Sequence, residues 1–235
     1  MAKGEKHDFG TFQFMLKCLE GDLKKKWAEC PSVGIGDEGN SILHVAVELH
    51  STPELFKLLL NIVSDCNLSN SKGETALHLV IEKDRMRLFE FLIKQPTIDV
   101  NKENKQGETP LHYCFKRQFI NIPMIRGLIE KGANLNAKDQ EGNTALHLAV
   151  KGKNFEGVQI LLDVGAIPNV NNKHKKCPLS IAEKETKDPR IQALLKRANY
   201  KRRQSLNFTE EHFASLTHKI PSESHIEIRE SEETE

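Results

Sequence analysis

The sequence predicts an all-α solenoid of about six stacked helix pairs. Three observations predict it. A nine-residue pattern recurs four times, and its terminal histidines are spaced by 34, 34 and 35 residues. Each copy is followed by apolar residues at helical spacing, twice per period. Aromatic residues make up only 6% of the 235 residues, so the core must come from many small aliphatic layers.

The four copies are G-D-E-G-N-S-I-L-H ending at His44, N-S-K-G-E-T-A-L-H at His78, N-K-Q-G-E-T-P-L-H at His112 and D-Q-E-G-N-T-A-L-H at His147. Gly39, Gly73, Gly107 and Gly142 keep the same step and mark a polar turn that asks for positive φ. Ser41, Thr75, Thr109 and Thr144 follow as helix N-caps. A short apolar helix comes next, such as 76–83, then a polar break and a second helix.

The second helices carry Leu55, Leu58, Leu59 and Ile62, then Leu88, Phe89, Leu92 and Ile93. Ile125, Leu128 and Ile129 follow, then Val158, Leu161 and Leu162. These positions form one face of an amphipathic helix, in whole or in part. Pro53 and Pro123 stand where those helices begin, a place that tolerates a missing N–H.

These motifs resemble the ankyrin repeat family, whose pattern places T-P-L-H at the start of the first helix with a glycine in the turn ahead. Gly132-Ala133-Asn134-Leu135-Asn136 is similar to the family's exit from the second helix, and Asp99-Val100-Asn101 to a shorter version. The resemblance implies an ankyrin-repeat solenoid with protruding β-turn or hairpin fingers. It divides the chain into a repeat domain at 8–198 and a C-terminal tail at 199–235. Repeats fall at 36–69, 70–103, 104–138 and 139–172, with capping repeats at 8–35 and 173–198. The first cap rests on the run Phe14 to Leu23. The last rests on Cys177-Pro178-Leu179-Ser180-Ile181-Ala182, with Ser180 in place of the histidine.

Departures from the pattern predict local distortion. Lys175 replaces the last turn glycine, so a different turn is expected there. His50, Asp84 and Gln118 stand where a glycine often separates the two helices. The third repeat holds one extra residue near Phe119 to Pro123.

Composition excludes several functions. Lys plus Arg number 34 against 33 Asp plus Glu, so the chain is not a globally basic nucleic-acid binder. It has no apolar run long enough to span a membrane, and no signal peptide is expected at its start. Five scattered cysteines without a C-x-x-C pair point to reduced thiols and a cytoplasmic setting. No nucleophile elbow, P-loop, H-E-x-x-H or G-x-G-x-x-G occurs, so no enzymatic activity is expected.

The repeated histidines are not metal ligands. Equivalent positions in successive repeats lie about 10 Å apart, one helix diameter, whereas zinc needs all its ligands near 2 Å. Each imidazole is expected to bond its Ser/Thr hydroxyl and the turn backbone. No metal or cofactor is expected.

What remains is a binding module. The resemblance implies protein binding through the turn tips and the exposed side of the first helices, with the chain a monomer. The tips are Asp37, Glu38 and Asn40, then Ser71, Lys72 and Glu74, then Lys105, Gln106 and Glu108, then Gln140, Glu141 and Asn143. The helix positions are Val45, Glu48 and Leu49, then Leu79, Glu82 and Lys83. Tyr113, Lys116 and Arg117 follow, then Leu148 and Lys151. Acidic residues lead in the early repeats and basic residues in the later ones. Tyr113, read as exposed between cations, is the expected hot spot.

The tail adds three expectations. Lys201-Arg202-Arg203-Gln204-Ser205 resembles a basophilic kinase site, with Ser205 as acceptor. With Lys196 and Arg197, the same cluster reads alternatively as a nuclear address. A separate amphipathic helix is expected over 207–219, capped by Thr209, before a disordered acidic end. The stretch Glu230 to Glu235 is similar to the acidic translocation signal of effectors from type IV-secreting bacteria. The expected function is therefore a protein-binding scaffold, in the effector version acting on a protein in the host cytoplasm. The alternative is a nuclear regulator that masks a transcription factor.

Overall fold

The computed structural model describes residues 38–117 and 120–217, with side chains to Gln204. The first capping repeat, Asp37, Gln118, Phe119 and the acidic end at 218–235 lie outside the described residues. Among the described residues there are ten α-helices, one π-helical turn at Ala182–Thr186 and no sheet. They run as α1 Ile42–Glu48, α2 Pro53–Ile62, α3 Ala76–Glu82, α4 Met86–Ile93 and α5 Pro110–Lys116. The series continues with α6 Ile122–Glu130, α7 Ala145–Lys151, α8 Phe155–Asp163, α9 Pro178–Ile181 and α10 Pro189–Thr217.

Each odd helix packs on the odd helix of the next repeat, and in the even series α2 packs on α4, α4 on α6 and α8 on α10. Two helix layers result, an inner row and an outer row, with the core between them. No single pair could bury its own apolar face, so burial is shared between neighbours. Phe56, Phe89, Leu88, Leu92, Ile125 and Leu128 are among the fully enclosed side chains of the outer row.

The inner helices start by one device. The backbone N–H of Ser41, Thr75, Thr109 and Thr144 donates to Nδ1 of the histidine three residues on, at 3.1 Å in each case. The Ser/Thr hydroxyl lies 2.6–2.9 Å from the same nitrogen. Since Nδ1 accepts, Nε2 carries the proton. It donates to the carbonyl of Glu74, Glu108, Asn143 or Lys176 in the next repeat, at 2.8–3.1 Å. The expected role for these histidines is thus observed, and it includes a bond to the following repeat.

The fingers are tight turns rather than extended hairpins, and an isolated antiparallel bridge joins Ser69 to Thr75. Asn70, Asn104, Asp139 and Asn172 each accept two backbone N–H bonds with one side-chain oxygen. Successive fingers are laced by backbone bonds. Lys105 N–H donates to Lys72 C=O at 2.9 Å, and Gln140 N–H to Gln106 C=O at 2.8 Å. This closeness requires glycine at 73: its φ is +79°, and a Cβ there would sit 2.7 Å from the Lys105 nitrogen.

Several expectations are corrected. Lys175 adopts φ +57°, so the last turn keeps the conformation of its glycine-bearing counterparts. His50 and Asp84 take the left-handed conformation, at φ 55° and 56°, without breaking the helix pair. The third repeat leaves α5 differently: Arg117 is extended, with φ −86° and ψ 152°. In α2, Leu58 is 52% exposed, whereas Phe56, Leu59 and Leu60 are buried. The inward face therefore starts at Phe56, one residue on from the expected Leu55. The separate helix capped by Thr209 is also absent, because α10 runs unbroken from Pro189 to Thr217 across residue 199. No glycine or proline interrupts that span after Pro189, so nothing ends the helix there.

Candidate functional site

The inner helices and the fingers form one flank of the stack. Glu48, Glu82, Lys116 and Lys151 each end an inner helix, and all four are exposed. They are the same structural position in four successive repeats. The charge along this row therefore changes from negative to positive, as the sequence predicts.

Between the second and third repeats lies a cleft of about 360 Å³, lined by Glu74, Glu82, Gln106, Glu108, Tyr113, Lys116 and Arg117. Its base is a closed polar network. The Tyr113 hydroxyl donates to Glu74 Oε1 at 2.6 Å and accepts from Asn104 Nδ2 at 3.0 Å. Asn70 Nδ2 donates to the other Glu74 oxygen at 3.1 Å. Asn104 Nδ2 also reaches Glu108 at 3.0 Å, and Lys116 Nζ lies 2.6 Å from that carboxylate.

This geometry corrects the hot-spot reading. Tyr113 is only 6% exposed, and Leu79 only 4%. Val45, Asn40, Glu74 and Glu108 are buried too. Tyr113 packs edge-on against His78, with ring centroids 4.9 Å apart. Lys116 Nζ lies over its ring, 4.9 Å from the centroid. A tyrosine pointing along the stack can bury its ring between repeats and still find a carboxylate for its hydroxyl. Nothing in the local sequence distinguishes that from exposure.

The remaining candidates lie at the surface. Glu38, Lys72, Gln106 and Glu141 are exposed on the fingers. Lys72 stands 3.8 Å from Glu38, and His174 hydrogen-bonds Glu141 at 3.0 Å, so side chains link neighbouring fingers. Leu148 is half-buried. Arg117 is half-buried and engaged, 3.1 Å from Asp84 and bonded to the Ile81 carbonyl at 3.3 Å. Ser205 lies on α10.

Electrostatics follow burial. Burial pushes the Glu74 carboxyl up, but hydrogen bonds from Tyr113 and Asn70, with the charge of Lys72, outweigh it and hold it low. Burial and the adjoining Glu74 raise the Tyr113 hydroxyl well above its ordinary value. Desolvation lowers all four repeat histidines, that of His78 to about 4, so they are neutral at pH 7.

Glu74 and Glu108, read from the sequence as exposed tips, are buried members of this network, and Asn70 and Asn104 are members that the sequence reading does not single out. A signal for the asparagines existed. Asn70, Asn104, Asp139 and Asn172 each precede the turn residue by three, at Gly73, Gly107, Gly142 and Lys175. Among the described residues, no three His, Cys, Asp or Glu side chains come together to hold a metal ion. No described helix is long and apolar enough to cross a membrane.

A family profile described as ankyrin repeats, in three copies, matches residues 43–139 and 118–204. Among curated relatives, a putative ankyrin repeat protein of Acanthamoeba polyphaga mimivirus is 54% identical over 52 residues, 22% of this chain and 13% of that protein. An intracellular phospholipase A2 of Caenorhabditis elegans is 29% identical over 149 residues, 61% of this chain and 11% of that protein. The chain thus spans a small part of these relatives. Among solved structures, the ankyrin repeat domain of Bcl-3, a member of the IkappaB protein family, superposes with a TM-score of 0.60. Sequence identity is 25%, over 74% of this chain and 77% of that one.

Proposed function

This chain belongs to the ankyrin-repeat family, and on that premise we propose that it is a non-enzymatic scaffold that binds a protein partner in the cytoplasm along its inner face. The observation that carries the reading is the row Glu48, Glu82, Lys116 and Lys151, one exposed charge per repeat at equivalent positions. A stack held by interlocked turns presents these charges with little freedom left to lose, which lowers the ordering cost of association. A partner with a basic end over Glu48 and Glu82 and an acidic end over Lys151 matches the row. Charge matching of this kind sets orientation and speeds encounter.

The test must avoid groups that hold the fold together. Glu48→Lys, Glu82→Lys and Lys151→Glu change exposed charges only, whereas Tyr113 and Lys116 serve the internal network. Affinity purification from cell lysate with wild type and this triple variant, matched in melting temperature, decides the matter. A protein captured by wild type and lost by the variant supports the inner face. Equal capture by both moves the contact elsewhere.

A nuclear regulator is the second reading. It is favoured by the exposed Lys196, Arg197, Lys201 and Arg203 on α10 and by the likeness to the Bcl-3 domain. Imaging a fluorescent fusion with those four residues changed to Ala tests it. Unchanged distribution rejects it.

A further inference from the structure

A second cleft, of about 260 Å³, lies on the opposite, outer row, where α8 packs on α10. Its floor includes Leu162 and Leu194, and its α10 wall carries Arg197, Lys201 and Arg202. Among the described residues that line it, Asp163 alone bears a carboxylate. Between Pro189 and Gln204 the chain holds six Arg or Lys and no Asp or Glu. Arg190 pairs with Asp188 at 3.1 Å and Lys196 with Glu183 at 3.2 Å, and neither pair lines the cleft. The cleft concentrates positive charge over an apolar floor.

The whole chain is nearly balanced, with 34 cations and 33 anions, so this local excess is offset by acidic residues elsewhere in the chain. The counterpart is residues 221–235, which carry six Glu against the single Arg229. We propose that this acidic segment of the same chain docks in the outer cleft, its glutamates paired with Arg197 and Arg202. The assignment is independent of the inner-face reading and concerns the opposite row of helices.

Geometry permits it. α10 ends at Thr217, and at the helical rise Lys201 lies about 24 Å back along its axis. Extended chain covers roughly 3.3 Å per residue, which puts Glu227 and Glu230 about 33 and 43 Å of chain beyond Thr217. Both reach the cleft with slack for the reversal. Tethering gives the segment an effective concentration in the millimolar range, far above that of a free acidic peptide. Exposed charges at this separation are screened by salt, so the docked state weakens as ionic strength rises. Docking also covers part of the basic cluster at 196–203, so any acidic partner for that cluster must displace the segment.

The experiment uses the full chain and a fluorescein-labelled peptide of residues 218–235, read by anisotropy at low salt. Its second protein is the full chain with Glu223, Glu227, Glu230, Glu232, Glu233 and Glu235 all changed to Gln. The peptide is expected to bind the neutralised chain at least tenfold more tightly than wild type, whose cleft is already filled. Adding Arg197→Glu and Arg202→Glu to the neutralised chain is expected to weaken the peptide at least tenfold. Arg197→Ala with Arg202→Ala serves if the reversal lowers the melting temperature. Equal binding to wild type and the neutralised chain overturns the proposal and leaves the cleft open to an acidic segment of another protein. Binding undiminished by the arginine changes overturns it, and so does absence of binding to both.

Discussion

The Tyr113 hydroxyl donates a 2.6 Å hydrogen bond to Oε1 of Glu74, 39 residues earlier in the chain. The bond ties the third inner helix to the second finger. It turns a residue with the makings of a surface hot spot into a structural pin. Tyr113→Phe removes the donor from Glu74 and the acceptor from Asn104, both buried. A loss of about 1 to 3 kcal/mol of stability is expected, read as a lower urea midpoint at unchanged slope. An unchanged midpoint means the network does not hold the stack.

Two lysines of one row should behave differently. Lys116 answers the buried carboxylate of Glu108, whereas Lys151 is exposed at the equivalent place without a close ion pair among the described residues. Lys116 is itself 46% exposed at its side chain, so water shares the load. Lys116→Ala is expected to cost about 1 kcal/mol, and Lys151→Ala less than about 0.5 kcal/mol. Equal costs in chemical denaturation reject the distinction.

Acid should weaken the stack over a defined window. Desolvation lowers the repeat histidines, that of His78 from 6.5 to about 4. Their unfolded forms bind protons first as pH falls. Stability is therefore full above pH 6.5 and is lost progressively towards pH 4. The shift at His78 corresponds to about 3 kcal/mol, at about 1.4 kcal/mol per pKa unit. Urea midpoints at pH 7.5, 6, 5 and 4 check this. A flat profile down to pH 5 contradicts it.

Backbone constraint and steric closeness can be separated at two glycines. Gly73 has φ +79° and a finger backbone 2.7 Å from where a Cβ would sit. Gly132 has φ +84° with nothing within 4 Å of that point. Gly132→Ala should cost about 1 kcal/mol from the left-handed conformation alone, and Gly73→Ala at least about 2 kcal/mol. Similar losses at both sites exclude the close approach as a cause.

The left-handed Lys175 offers a gain. Its φ of +57° costs a side-chain-bearing residue strain that glycine avoids. Lys175→Gly is expected to raise stability by about 0.5 to 1 kcal/mol, net of the extra freedom of the unfolded chain. A lower melting temperature rejects this.

Much of the fold was legible because each repeat writes its own local rules. The Ser/Thr cap, the histidine three residues on and the turn glycine are short-range chemistry, and the capping bonds form within four residues. The charge row was legible too, since Glu48, Glu82, Lys116 and Lys151 recur at the repeat period. Exposure was harder. Leu79, Tyr113, Glu74 and Glu108 occupy positions that the family resemblance places at the surface, yet all four are buried. Leu55 and Phe56 show the same limit, because either could begin an apolar face and only the layer beneath chooses.

The sequence by itself determined the repeat, its helix starts, its turns and the sign of charge along the inner face. These follow from spacing and from bonds between residues close in the chain. Tertiary structure decided which polar side chains close into a network, how residues without glycine adopt glycine's conformation, and where α10 gathers its cations over an apolar floor. The network is closed by contacts as far apart as Tyr113 and Glu74, 39 residues, and the energy of burying a carboxylate or a tyrosine is set by partners that local sequence does not name.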